Sequence, residues 1–340
     1  MKNTQDSRLR ALSDWLTEDL RLAVADLSPA SSDASFRRYF RARVGAETFI
    51  VMDAPPSHED VRPFIHVAEL LRQAGIQAPR IHARDVDRGF LLLCDFGQRS
   101  YLDHLDEQSA EQLYGDAMAG LLRMQRGVET STCQLPPYDD TLLNNEMNLF
   151  RDWFAGKLLD LGLTEAEHGL LDQTWRTLAD SALEQPKVCV HRDYHSRNLM
   201  VTDEDNPGVL DFQDAVVGPI TYDLVSLLRD CYIAWPQARI DTWIRGFHNQ
   251  AQTTGLLAET DFARFRRWFD LMGIQRHLKA IGIFSRLKLR DGKAGYIGDI
   301  PRTLGYVLAV SQDYPELAGF RRFLLDRVQA RFTAVTGLTA

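Results

Sequence analysis

Cysteine is scarce and unclustered in this chain. Cys94, Cys133, Cys189 and Cys231 are the four in 340 residues, and no two stand in a Cys-x-x-Cys spacing. That excludes a disulfide framework or a cysteine-rich zinc knuckle as the organising principle, and reduced, buried thiols are expected. Long apolar runs are missing too. No stretch approaches the roughly 20 apolar residues that cross a bilayer. The polar start MKNTQDSRLRALSDWL lacks the apolar core of a secretory leader. A cytoplasmic protein without membrane association is expected. Basic residues are outnumbered, 39 Lys and Arg against 47 Asp and Glu, for a net charge of −8. A chain with no basic footprint is a poor binder of phosphate backbones, so no nucleic-acid partner is expected. Internal repeats and low-complexity tracts are also absent.

What is present changes character along the chain. Leu9, Leu12, Leu16 and Leu20 recur at helical spacing and predict an amphipathic helix over 6–20. Phe36, Phe40, Ala42 and Val44 alternate with Arg37, Tyr39, Arg41 and Arg43, which reads as a half-buried strand. Gly45 marks a turn and TFIVM (48–52) a buried strand. A loop of small residues, ASSDAS (30–35), precedes this hairpin. Ser57 with Asp60 suggests a capping box, followed by a helix that ends at Gly75. RIHARD and FLLLC then flank the turn at Asp87-Arg88-Gly89. Past Gly97 the pattern becomes helical, and only KVCVH and GVLDF read as strands. The expected fold class is α+β with two lobes: a small antiparallel sheet with one packed helix over 1–97, and a larger, mainly helical lobe over 98–340.

Chemistry concentrates in CVHRDYHSRNLMV (189–201) and GVLDFQDA (208–215). Transfer of a phosphoryl group needs a side chain that orients or deprotonates the attacking hydroxyl. It also needs oxygen ligands for Mg²⁺, which offsets charge on the transferred group. Asp193 follows the strand VCV in a polar loop and suits the first role. Asn198, five residues on, and Asp211, at the end of GVL, suit the second. A lone aspartate in a loop is usually a turn residue, and His191 with His195 has no third soft ligand nearby for zinc. The conjunction of His-Arg-Asp, the spaced asparagine and Asp-Phe off the next strand has the spacing of a phosphoryl-transfer site.

HRDYHSRNLM with VLDFQDA resembles the aminoglycoside phosphotransferase and choline kinase superfamily, whose loop reads HGDLHxxN, and His195 marks that branch rather than protein kinases. FLLLCDFG is similar to its hinge strand, and GPITYDLVSLL (218–228) to the helix after the metal aspartate. More narrowly, DASFRRYFR, FIVMDAPP and FQDAVVGPITYDLVSLLRDCYIAWP resemble the bacterial kinases of cell-wall recycling that phosphorylate the anomeric hydroxyl of N-acetylmuramate and N-acetylglucosamine. The resemblance covers about 28–228. It implies a bilobal protein-kinase-like fold, ATP and Mg²⁺ as cofactors, an amino sugar and ATP as the small-molecule partners, and a monomer. It further implies Asp193 as the catalytic residue and Asn198 and Asp211 as metal ligands. A same-fold kinase of an aminoglycoside, choline or an amino alcohol is the nearest alternative, and an inactive nucleotide-binding regulator is the alternative of another class.

The family's lysine on the third strand is replaced by Met52. Arg37, Arg38 or Arg43 of the preceding strand is expected to supply its charge, and Ser32 and Ser35 to cover the phosphates in place of a glycine-rich loop. Cys94, Asp95 and Phe96 are expected to offer backbone groups to the adenine. Asn145, Glu146, Asp230 and Trp235 are expected to line the acceptor site, with the basic run SRLKLRDGK (285–293) meeting a substrate carboxylate.

Overall fold

The computed structural model describes residues 3–31, 36–258 and 260–339. It divides into two compact units, Met1–Arg99 with Met200–Asp214, and Ser100–Leu199 with Ala215–Ala340. The stretch holding Asp211 groups with the strand-rich unit.

The first unit is built on a five-stranded sheet in the order β1-β2-β3-β5-β4. Its strands are β1 (Val24–Ser31), β2 (Arg38–Val44), β3 (Glu47–Asp53), β4 (Ile81–Asp85) and β5 (Phe90–Cys94), and every neighbouring pair is antiparallel. Sequence pattern did not indicate β1. Its VADLSPAS lacks alternation and contains Pro29, which a strand tolerates because β1 lies at the sheet edge. One face carries Phe40, Ala42, Val51, Phe90 and Leu92 against Leu12 of helix α1 (Asn3–Asp14) and Trp15 and Leu16 of the turn that follows it. Alternation puts Met52, Leu91 and Leu93, all buried, on the other face. Helix α2 (Arg62–Gln73) starts later than the expected cap. Its N-cap is Val61, with Pro63 in the first turn, and Asp60 accepts the Arg62 N–H at 2.9 Å, while Ser57 bonds His58. No capping box forms.

The second unit is helical around α9 (Phe262–Asp291), thirty residues long and buried on most sides. The other elements on which the site depends are α3 (Tyr101–His104), α4 (Ala110–Gly127), α5 (Asp140–Leu149), α6 (Glu165–Leu183) and α7 (Tyr222–Leu228). Strand β6 (Lys187–Val190) pairs antiparallel with β9 (Val216–Pro219). The short β7 (Leu199–Met200) and β8 (Gly208–Val209) lie between them in sequence. The β9 strand was not legible because its VVGP ends in glycine and proline. Among the described residues, no helix is long and apolar enough to cross a membrane.

Two glycines set close approaches. A Cβ on Gly282 of α9 would stand 2.4 Å from the backbone of Leu149, so this helix crossing needs a bare backbone. Gly89, at φ +72°, would place a Cβ 1.9 Å from the Ala54 carbonyl oxygen, and its own carbonyl accepts the Ala54 N–H. Gly89→Ala therefore combines a left-handed backbone with a clash against main chain. A loss of about 1–3 kcal/mol is expected, read as a lowered Tm in thermal unfolding; an unchanged Tm would contradict this packing.

Candidate functional site

The stretch 191–198 leaves β6, whose Val188, Cys189 and Val190 are buried. It then turns sharply. Arg192 has φ +78°, a conformation disfavoured for a long side chain. It is held there by Asp223 of α7, a fully buried carboxylate that accepts the N–H of His191 at 2.6 Å and of Arg192 at 2.9 Å. The turn closes on itself downstream. Asn198 donates its side-chain amide to the Asp193 carbonyl at 3.0 Å, and the His195 N–H donates to the same oxygen. Asp230 completes the clamp by accepting the Ser196 N–H at 2.9 Å, the Ser196 hydroxyl at 2.5 Å and the Tyr232 N–H at 2.9 Å.

Charge behind this loop is arranged by α5 and α9. Glu146 of α5 is buried and pairs with Arg192 and, at 3.3 Å, with Lys279 of α9. It also accepts from Tyr138 and Gln275, while Lys279 donates to the Tyr222 hydroxyl at 3.0 Å. Burial alone pushes the Asp193 carboxyl upward, but Lys279, then His195, Arg276 and His191, outweigh it and bring its pKa down to about 2. Burial lowers His195 to about 4, leaving its ring neutral at neutral pH, and raises Asp223 to about 6. Asp193 is thus ionised at neutral pH and a weak base.

In the strand-rich unit, Asp211 stands at φ +62° and accepts from the Gln213 amide at 2.8 Å. The next residue, Phe212, is fully buried and packs on Phe64 of α2 at 4.7 Å between ring centroids, which fixes where the aspartate emerges. Arg37 pairs with Glu59 at 3.1 Å, and both Glu59 and Asp211 contribute to holding its guanidinium charged against burial. Arg38 is placed differently. It binds Asp53 together with Arg8 and lies over the Phe40 ring, on the sheet face that α1 covers. Arg37 precedes β2 and interacts with Tyr39, which pairs with Met52, whereas Arg38 lies on the face that carries Phe40. Of the two cations, Arg37 is the one associated with the Met52 side.

The remaining sequence-derived candidates divide. Ser32 and Ser35 lie outside the described residues. The Asp95 carboxylate is held by both guanidinium nitrogens of Arg41 at 2.6 and 3.0 Å and by the Gly97 N–H. The Cys94 N–H donates to the Arg80 carbonyl at 2.9 Å. Glu146 and Asp230, expected to face an acceptor, are buried and bind Arg192 and Ser196 of the 191–198 stretch. Asn145 is exposed on α5. Trp235 donates to the Tyr114 hydroxyl at 2.8 Å and packs with Trp243. The basic run 285–293 ends α9, where Arg290 pairs with Asp291. Asp223, Lys279 and Arg276 were not singled out: Asp223 stood inside the quoted 218–228 stretch, while the cations lie in a helix with no local motif.

Oxygen donors such as Asn198 and Asp211 suit Mg²⁺, and the Asn198 amide nitrogen is already committed to the Asp193 carbonyl. Among the described residues, no three His, Cys, Asp or Glu side chains form a metal-holding group. Replacing Asp223 with alanine would orphan two buried N–H groups beside a left-handed residue. A loss of roughly 2–4 kcal/mol is expected, visible as a lower Tm in unfolding scans together with reduced turnover.

The chain is 47% identical over 323 residues to the N-acetylmuramate/N-acetylglucosamine kinase of Pseudomonas putida, covering 92% of this chain and 94% of that protein. It is 44% identical over 340 residues to the enzyme of the same name from Pseudomonas aeruginosa, covering 96% and 98%. The fold is that of the choline kinase LicA from Streptococcus pneumoniae, with a TM-score of 0.62 at 11% identity over 88% of this chain and 99% of that one. An AMP-bound spectinomycin phosphotransferase aligns with a TM-score of 0.64 at 12% identity, covering 88% and 98%. Residues 26–266 match the family model described as the phosphotransferase enzyme family, and with these relatives the match shows that the chain belongs to that family.

Proposed function

We propose that this enzyme transfers the γ-phosphoryl group of ATP to the anomeric hydroxyl of N-acetylmuramate and N-acetylglucosamine, as a cytoplasmic monomer in cell-wall sugar recycling. Identity of 47% across nearly the whole length of a kinase named for these two sugars carries the reading. The acceptor hydroxyl binds at Asp193, which orients its lone pair for in-line attack on the γ-phosphorus. With a pKa near 2, Asp193 does not remove the proton early. The hydroxyl proton passes to the carboxylate late, as the bond to phosphorus forms and the bond to the leaving ADP oxygen breaks, in keeping with a loose transition state. Mg²⁺, held by Asn198 and Asp211, would neutralise charge on the phosphates. Arg37 supplies the cation that Met52 does not, and the Asp95 and Phe96 main chain receives the adenine.

Because Asp193 works by orientation, Asp193→Ala is expected to lower kcat by about 10³-fold or more while the ATP dissociation constant moves little. Turnover near wild type would end this mechanism. The two arginines separate as well: Arg37→Ala is expected to raise the ATP KM by roughly tenfold, whereas Arg38→Ala should lower Tm with little change in ATP KM, since it frees one arm of the buried Asp53. A larger KM effect at Arg38 would refute the face assignment.

A further inference from the structure

Two guanidinium groups beside the catalytic stretch have no carboxylate within ion-pair distance among the described residues. Arg197 is the residue before Asn198. It is exposed, and its guanidinium stacks 3.7 Å from the centre of the Tyr232 ring, with Tyr296 at 5.8 Å. Stacking consumes the face of the group and leaves its in-plane N–H donors available. Arg276 of α9 is 5% exposed. Its one hydrogen bond is a weak one to the Cys231 sulfur at 3.7 Å, and its Nε has no partner. Tyr232 lies within electrostatic reach of both arginines, and His195 meets its ring edge-on at 5.2 Å.

Nearby acids are otherwise engaged. Asp230 is spent on Ser196 and Tyr232, Asp299 sits 3.3 Å from Arg302 and feels Arg197 without forming an ion pair with it, and Glu146 holds Arg192 and Lys279. Against burial, Cys231, Tyr222, Asp193 and Asp230 keep Arg276 charged from a distance. Its Nε has no hydrogen-bond partner, so the guanidinium fork keeps donors for an arriving carboxylate.

We propose that Arg197 and Arg276, on either side of Tyr232, bind the lactyl carboxylate by which N-acetylmuramate differs from N-acetylglucosamine. The proposal rests on the sugar-kinase reading above. The lactyl ether sits on O3, two carbons from the anomeric carbon, so its carboxylate reaches a few ångströms past the hydroxyl that Asp193 orients. The cation nearer in effect to Asp193 is Lys279, which Glu146 occupies; Arg276 lies one helical turn earlier, among Cys231, Tyr222 and Asp230. A planar fork matches a carboxylate with two parallel hydrogen bonds. The neutral sugar would leave these cations to water, and both sugars could share one Asp193.

The test measures kcat/KM of purified wild type, Arg197→Gln and Arg276→Met with N-acetylmuramate, N-acetylglucosamine and N-acetylmuramate methyl ester, in which the carboxylate is masked. In wild type the free acid is expected to be preferred over the ester. In Arg197→Gln the ratio of N-acetylmuramate to N-acetylglucosamine efficiency should fall at least about 30-fold, chiefly through KM, and the preference for acid over ester should disappear. Arg276→Met should shift the same ratio the same way; because that site is buried and its substitution puts folding at risk, Arg197→Gln alone decides. Equal losses on both sugars, or equal use of acid and ester by wild type, would overturn the carboxylate assignment while leaving the kinase intact. Absence of turnover with either sugar by folded wild type would overturn the kinase reading itself.

Discussion

The stretch that carries Asp193 is shaped by carboxylates that lie outside it. Asp223 takes two successive main-chain N–H groups and Asp230 takes a third, together with a serine hydroxyl. Without these acceptors the left-handed Arg192 has no compensation for a conformation that costs of order 1–3 kcal/mol. Burial raises Asp223 to about 6, which measures how much water it has given up for the bonds it makes. Asp193 differs in environment: cations from α9 surround it, and it stays ionised. One carboxylate therefore builds the turn, and another is kept charged.

The positive side of this balance is assembled from distant sequence. Lys279 and Arg276 are about eighty residues beyond Asp193, yet α9 runs through the core of its unit and delivers both. Glu146 restrains Lys279 and Arg192 together, so the cations hold fixed positions. In the strand-rich unit Asp53, fully buried, gathers Arg8 and Arg38. That leaves Arg37, next in sequence to Arg38 but opposite in direction, to face Asp211 and Glu59.

Much of this was legible from residues alone where a local rule applied. The alternation in 36–44, the turn at Gly89 and the His-Arg-Asp spacing each follow from short-range geometry, and the sheet, the hairpin and the loop were readable in consequence. Strands β1 and β9 were not, because proline, glycine and serine hide their pattern and tertiary pairing overrides propensity. Site residues divided in the same way. Asp193, Asn198 and Asp211 announce themselves by spacing, whereas the roles of Glu146 and Asp230 depend on what packs against them. Arg37 and Arg38 could be separated only once the face covered by α1 was known.

Met52 has an effect that reaches past nucleotide binding. In protein kinases the strand lysine pairs with a glutamate on the neighbouring helix, and moving that helix makes or breaks the enzyme. Here a thioether fills the strand position, fully enclosed. Among the described residues, Glu69 of α2 pairs with Arg84, at 3.6 Å and with both side chains more than half exposed, a contact worth little in water. A displacement of α2 along β3 would not be read through a lysine–glutamate pair at this strand position.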